Sequence, residues 1–174
     1  MNEEIIYNYF KNYRLLIKHI IISDDTNITL HGKMNGKLFN SCMPIVGWKN
    51  YWYGKYQITK YLYDNISNKN SHVINCRFDV LQNSYSLTTN NILRFIYSHK
   101  NRKFVGNTFI FDKPKKGIDN IYMGSVKTMY IITRIFHYDL DKISSMYQHI
   151  QNQEFSVFMF NNFIFKQSIK MSII

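Results

Sequence analysis

Apolar residues recur at steps of three and four near the start of the chain, at Ile6, Phe10, Tyr13, Ile17 and Ile20 or Ile21, with Lys11, Arg14 and Lys18 on other faces. That spacing matches the helical turn and predicts an amphipathic helix over 3–22, stopped by Asp24 and Asp25. Residues 26–31 read as a short strand. Residues 31–57 are punctuated by Gly32, Gly36, Pro44, Gly47 and Gly54 and crowded with aromatics, which predicts loops with a partly ordered excursion. At 73–81 the pattern changes to strict alternation. Ile74, Cys76, Phe78 and Val80 form one set and Asn75, Arg77 and Asp79 the other, which predicts a strand with the apolar set buried. A helix follows the turn at Asn83-Ser84, with Leu87, Asn91, Ile92, Phe95 and Ile96 on one side. Residues 107–111 read as a strand, 113–117 as a basic turn, and 126–136 as a long β-rich run. Asp139 caps a last helix whose stripe is Leu140, Ile143, Met146, Tyr147 and Ile150. Residues 155–165, rich in Phe and Val, admit a final strand, and the tail from Lys166 reads as mobile. The order of elements predicts an α+β fold, an antiparallel sheet with helices packed on one face. It forms one domain over 1–158 with a C-terminal extension over 159–174, and contains neither repeat nor linker.

Charge changes the picture from a fold to a partner. The chain of 174 residues carries 22 Lys and Arg against 11 Asp and Glu, a formal net charge of +11. Such an excess repels itself unless a polyanion neutralises it, and nucleic acid is the commonest such partner, ahead of a membrane surface. The absence of Ala, with Asn, Ile, Tyr, Phe and Lys dominant, points to a strongly AT-rich genome. That bias favours lysine codons by itself, yet Arg14, Arg77, Arg94, Arg102 and Arg134 are also spread along the chain. The first residues are acidic and resemble no signal peptide, and Ile20 to Ile22 is too short to span a bilayer, so no membrane association is expected.

The chemical motifs speak against catalysis. Gly32-Lys33-Met34-Asn35-Gly36-Lys37 is one residue short of a P-loop and is followed by Leu38 where Ser or Thr would stand, so a basic turn against a nucleic-acid backbone fits better. Cys42 and Cys76 match no disulfide or metal pattern and read as small buried hydrophobes in a reducing compartment. The six histidines never pair with one another or with Cys at zinc spacing. Acids are few and sit mostly at helix starts and turns, where capping explains them. Neither enzymatic activity nor a cofactor or metal is expected. Tyr51-Trp52-Tyr53 between Lys49 and Lys55 suits base stacking with phosphate contact, and suits core packing equally well. Lys100, Arg102 and Lys103 form a basic cluster at the end of the predicted middle helix.

Several strings, taken in order, resemble the bacterial-type large-subunit ribosomal protein family that binds 5S rRNA, family five of that subunit. Tyr9-Phe10-Lys11 resembles its opening Tyr-Tyr-Lys, Ile28-Thr29-Leu30-His31 its first strand before a glycine turn, and Ile58-Thr59-Lys60 its Ile-Thr-Lys. Cys76-Arg77-Phe78 looks like its Cys-Lys-Val strand, and Lys103-Phe104-Val105-Gly106 its Asp-Phe-Arg-Gly. Ile110-Phe111, Ile118-Asp119 and Ile131-Ile132-Thr133 are similar to its Ile-Phe-Pro-Glu, its turn and its Thr-rich last strand. Residues 139–155 take the place of its closing helix. The likeness runs collinearly from about residue 5 to 155. The family's loop after Ile-Thr-Lys is rich in Lys, Arg and Gly, whereas 61–70 here is rich in Asn.

The resemblance implies a structural constituent of the large ribosomal subunit. With the genome composition it implies an organelle-encoded protein of the mitochondrial matrix. Its expected partners are rRNA in the central protuberance (5S rRNA or its substitute), neighbouring ribosomal proteins, and through the loop after Lys60 the P-site tRNA and the small-subunit head. The residues expected to bind RNA are His31, Lys33, Lys37, Lys60, Arg77, Lys100, Arg102 and Lys103. Asn68, Lys69 and Asn70 are expected to face tRNA. The rival reading is a viral or other protein of an AT-rich genome that binds a host protein or nucleic acid.

Overall fold

A computed structural model describes residues 2–37, 44–76, 97, 98, 101, 109–111 and 121–146. Among the described residues the elements are the α-helices α1 (Glu3–Tyr9), α2 (Ile45–Asn65) and α3 (Val126–Met146) and the strands β1 (His72–Cys76), β2 (Phe109–Phe111) and β3 (Ile121–Ser125). The strands form one antiparallel sheet in the order β1-β3-β2. The architecture is thus mixed α+β with an antiparallel sheet, as the order of elements led one to expect.

The first helix is shorter than its periodicity suggests. Asn2 caps it, its Oδ1 accepting from the amide of Ile5 at 3.0 Å, and Glu3 and Glu4 complement the helix dipole. It ends at Tyr9, a 3-10 turn covers Lys11–Leu16, and neither piece buries a residue. Helices of this length draw most of their stability from tertiary packing, and here Leu15 is 88% exposed. The strand expected at 26–31 is absent. Asp24 instead accepts from the amide of Thr26, which lowers its carboxyl pKa and starts a 3-10 turn over Asp25–Asn27.

The largest departure from the sequence reading lies at 44–65. A 21-residue helix replaces the expected loops. Its buried positions Ile45, Trp48, Lys49, Trp52, Tyr56 and Thr59 are spaced by three, one, three, four and three, which is one helical face. Each interior glycine costs only about 0.5–1 kcal/mol, too little to offset two buried tryptophans. The loop expected over 61–70 shrinks accordingly, because α2 runs to Asn65.

The second departure is α3. The run over 126–136, expected as strand, is helical from Val126, and Met129, Ile132, Phe136, Leu140 and Ile143 make one continuous buried stripe. Its start is well capped. The Oγ of Ser125 accepts from the amide of Thr128 at 3.1 Å, while the amides of Val126 and Lys127 donate to the carbonyls of Ser71 and Lys69. Asp139 was expected to begin a helix. It does stand at a break in α3, at φ −116° and ψ 22°, where one helical segment ends and the next, carrying Leu140 and Ile143, begins.

α2 and α3 pack antiparallel: Trp52 stacks on Phe136 at 4.2 Å, and the hydroxyls of Thr59 and Thr133 meet at 2.6 Å. Ile45, Trp48 and Trp52 from α2 join the α3 stripe in the core, with Val73 of β1 packed against it. This inverts the phase expected for β1. Val73 faces the core cluster, and Asn75 on the same side accepts from the ammonium of Lys55 at 2.5 Å. Ile74, expected inside, is 38% exposed. It lies on the opposite face, paired with the buried Met123. Alternation located the strand, but both faces are partly covered, so polarity alone could not say which one meets the helices. β2 agrees with the expected strand over the residues described. Phe78, Val80, the helix expected near 87–96, the basic turn at 113–117, Tyr147, Ile150 and the extension over 159–174 lie outside the described residues.

Candidate nucleic-acid interface

On α2 the residues Lys49, Tyr53, Tyr56, Lys60 and Tyr63 follow at steps of four and three, so they form a single stripe. Tyr130, Arg134, His137 (with its neighbour Tyr138) and Asp141 do the same on α3. The antiparallel packing brings the two stripes together in a seam where aromatic rings alternate with cations.

One end of the seam is clasped by charge. The ammonium of Lys49, only 2% exposed, pairs with Asp141 Oδ1 at 2.9 Å and donates to the carbonyl of His31. The other carboxylate oxygen accepts the amide of Lys33 at 2.6 Å. The turn between them needs glycine. Gly32 has φ +76°, and a Cβ there would overlap Asp141 and stand 3.1 Å from the Lys49 nitrogen.

The middle is aromatic. His137 stacks on Tyr56 with ring centres 4.9 Å apart, and the ring of His31 stands edge-on to it at 5.1 Å. Tyr53 and Tyr138 complete the cluster. Burial, and then a hydrogen bond with Tyr138, push the Tyr56 phenol pKa well above its usual range. Tyr138 itself is 45% exposed. Lys60 and Arg134 are exposed. Lys60 pairs with Asp64, one turn on, which keeps the ammonium charged.

At the far end Tyr63 stacks on Tyr130 at 4.4 Å. The Lys69 ammonium lies 4.8 Å from the Tyr63 ring centre and donates to the carbonyls of Tyr63 and Ile66. It therefore caps the C-terminal end of α2.

Burial of His137, reinforced by repulsion from His31, holds its pKa down at about 4 against an ordinary value of 6.5. The unfolded chain takes up a proton near 6.5, whereas the folded chain resists until about 4. Stability from this group is therefore full above pH 6.5 and lost as the pH falls from there to about 4. His137→Phe stays neutral, so its melting temperature is expected to fall less than that of the native chain over this interval. Parallel melting curves for the two proteins would contradict the assignment.

The expected site residues divide as follows. His31, Lys33, Lys60 and Lys69 all lie along the seam or at its ends. Lys37 stands apart, exposed and bridged to Pro44. Asn68 and Asn70 are exposed in the turn after α2, with Asn68 Oδ1 accepting the amide of Asn70 at 3.0 Å. Lys69, placed between them in the expected tRNA-facing loop, points back to the helix. Arg77, Lys100, Arg102 and Lys103 lie outside the described residues. Trp52, one of the rings considered for base stacking, is fully enclosed, and of that string Tyr53 reaches the seam. Tyr130, Arg134 and Tyr138 are not among the expected site residues: the first two lie in the run over 126–136 that reads as strand, and Tyr138 lies just beyond it. Their helical spacing was the signal.

Among the described residues no three His, Cys, Asp or Glu side chains gather in a way that could hold a metal ion. No described helix is long and apolar enough to cross a membrane. Comparison with protein-family models, curated proteins and solved structures finds no match to this chain.

Proposed function

We propose that the chain is a non-catalytic RNA-binding constituent of the large ribosomal subunit of a mitochondrion. In this reading it is docked on rRNA of the central protuberance, 5S rRNA or its substitute. The observation that carries the reading is the seam, where Lys60 and Arg134 stand exposed among tyrosine and histidine rings on a chain of net charge +11. Cations neutralise phosphates and release their counterions, while rings and helix ends fix register.

The order of elements adds support only from Ile58 to Cys76, since Ile28-Thr29-Leu30-His31, which resembles the family's first strand, forms no strand here. Ile58-Thr59-Lys60 lies in the last two turns of α2, and Cys76 closes the strand that follows. Support is lacking at Ile131-Ile132-Thr133, which resembles the family's last strand but is helical here. In this reading the helix pair covers one face of the sheet, with Val73 as the contact. Exposed Ile5, Tyr9, Leu15 and Leu16 offer neighbouring ribosomal proteins an apolar surface. With Lys69 turned inward, any approach to P-site tRNA or the small-subunit head falls to Asn68 and Asn70. The reading is tested by whether the protein travels with the large subunit when the organelle's ribosomes are dissociated.

A further inference from the structure

We propose that the seam between α2 and α3 is a stacking site for unpaired RNA bases, holding a single-stranded segment in preference to a duplex. This rests on the RNA-binding reading and names the form of RNA that the site takes.

Three features of the seam point the same way. First, it offers a ring that is both exposed and held in place. Tyr138 is 45% exposed, yet its ring is packed edge-on by Tyr56 at 5.7 Å and lies against His31 at 4.7 Å and His137 at 4.6 Å. A base laid on a ring already fixed in orientation costs little further side-chain entropy. Second, cations flank that ring at one-turn intervals. Arg134 sits one turn before Tyr138 on α3, and Lys60 stands exposed across the seam on α2. Third, the nearby acids are largely committed. Asp64 is paired with Lys60 and Asp141 with Lys49, which leaves Asp139 as the exposed acid beside Tyr138. A surface pair such as Lys60–Asp64 is weak enough for a phosphate to compete with it.

An A-form duplex presents phosphates and 2′-hydroxyls and keeps its bases stacked on one another, so it would leave Tyr138 unused. A single strand can place a base on the ring and its flanking phosphates on Arg134 and Lys60, the combination of stacking and charge by which single strands are held.

The test is fluorescence anisotropy with a labelled oligoadenylate of about ten nucleotides and a duplex of the same length. The native chain, Tyr138→Ala, Tyr138→Phe and Arg134→Gln are compared over a series of salt concentrations. The native chain should prefer the single strand. Tyr138→Ala should lose about ten-fold or more of that affinity, with little change for the duplex and an unchanged salt slope. Tyr138→Phe, which keeps the ring, should retain most of the binding. Arg134→Gln should lower the single-strand salt slope by about 0.7. Near-ultraviolet circular dichroism checks that each variant is folded. Should Tyr138→Ala fail to fold, the single-strand preference and the Arg134→Gln slope decide. Equal binding of strand and duplex, with Tyr138→Ala or Arg134→Gln unchanged, would overturn the stacking site and leave the RNA-binding reading standing. Binding of neither RNA would remove that reading as well.

Discussion

Replacing Trp52 by alanine is expected to cost about 3–5 kcal/mol, the range for removing a large aromatic from a packed core. That is a large part of the whole stability of a small domain. Trp52 has no exposed surface, stacks on Phe136 at 4.2 Å and meets Trp48 edge-on at 6.0 Å. It is therefore a fully buried contact between α2 and α3. Among the described residues its indole nitrogen has no hydrogen-bond partner, so the loss is chiefly one of packing. Trp52→Phe, which keeps a ring against Phe136, should lose less. Ile74→Ala offers the contrast: at 38% exposure on the far face of β1, it should stay within about 1 kcal/mol of the native chain. Urea denaturation of the three variants checks the ordering. An Ile74→Ala loss as large as that of Trp52→Ala would mean that the strand faces the core in the opposite phase.

The second large effect is expected at Asp141. Its carboxylate pairs with Lys49 and accepts the amide of Lys33, so Asp141→Ala strands an ammonium that is 2% exposed. Removing one partner of a buried pair typically costs about 3–5 kcal/mol, and the 43% exposure of the Asp141 side chain places this case near the lower end. Much of the cost is the uncompensated charge, so Lys49→Met should cost less than Asp141→Ala. Combining Lys49→Met with Asp141→Leu should recover part of the loss. The coupling can be read from chemical denaturation of the two single variants and the double variant. Additive losses would show that the two side chains do not depend on each other.

These residues also show what could be read from sequence. The stripe Leu140 and Ile143 was legible because its helical spacing followed an acidic capping residue. The same stripe extends back through Phe136, Ile132 and Met129, but Val126, Ile131, Ile132 and Thr133 gave the stretch the look of a strand. β-Branched residues cost only a few tenths of a kcal/mol each in a helix, and burying the stripe against α2 outweighs that. In α2 the breakers Gly47 and Gly54 hid the spacing from Ile45 to Thr59. Gly54 is exposed and a Cβ there would meet nothing within 4 Å, so this glycine terminates nothing. Of the site, His31, Lys33, Lys60 and Lys69 were identifiable as basic residues near turns or a helix end. Their meeting with Arg134 and Tyr138 was not, because it depends on the pairing of two helices that the sequence reading had taken for loop and strand. The direction of Lys69 was equally hidden, since only the end point of α2 reveals the carbonyls it caps.

The central proposal is that this protein is a constituent of a ribosomal large subunit and is held there by RNA. The most direct measurement follows the protein through a sucrose gradient of dissociated ribosomes from the organelle of its own organism, with and without ribonuclease and at rising salt. The account predicts that it sediments with the large subunit at moderate salt. It should leave that peak as salt displaces phosphate contacts, and move to the top of the gradient after ribonuclease treatment. A protein that stays at the top without ribonuclease, or that sediments with a partner insensitive to both ribonuclease and salt, would contradict it.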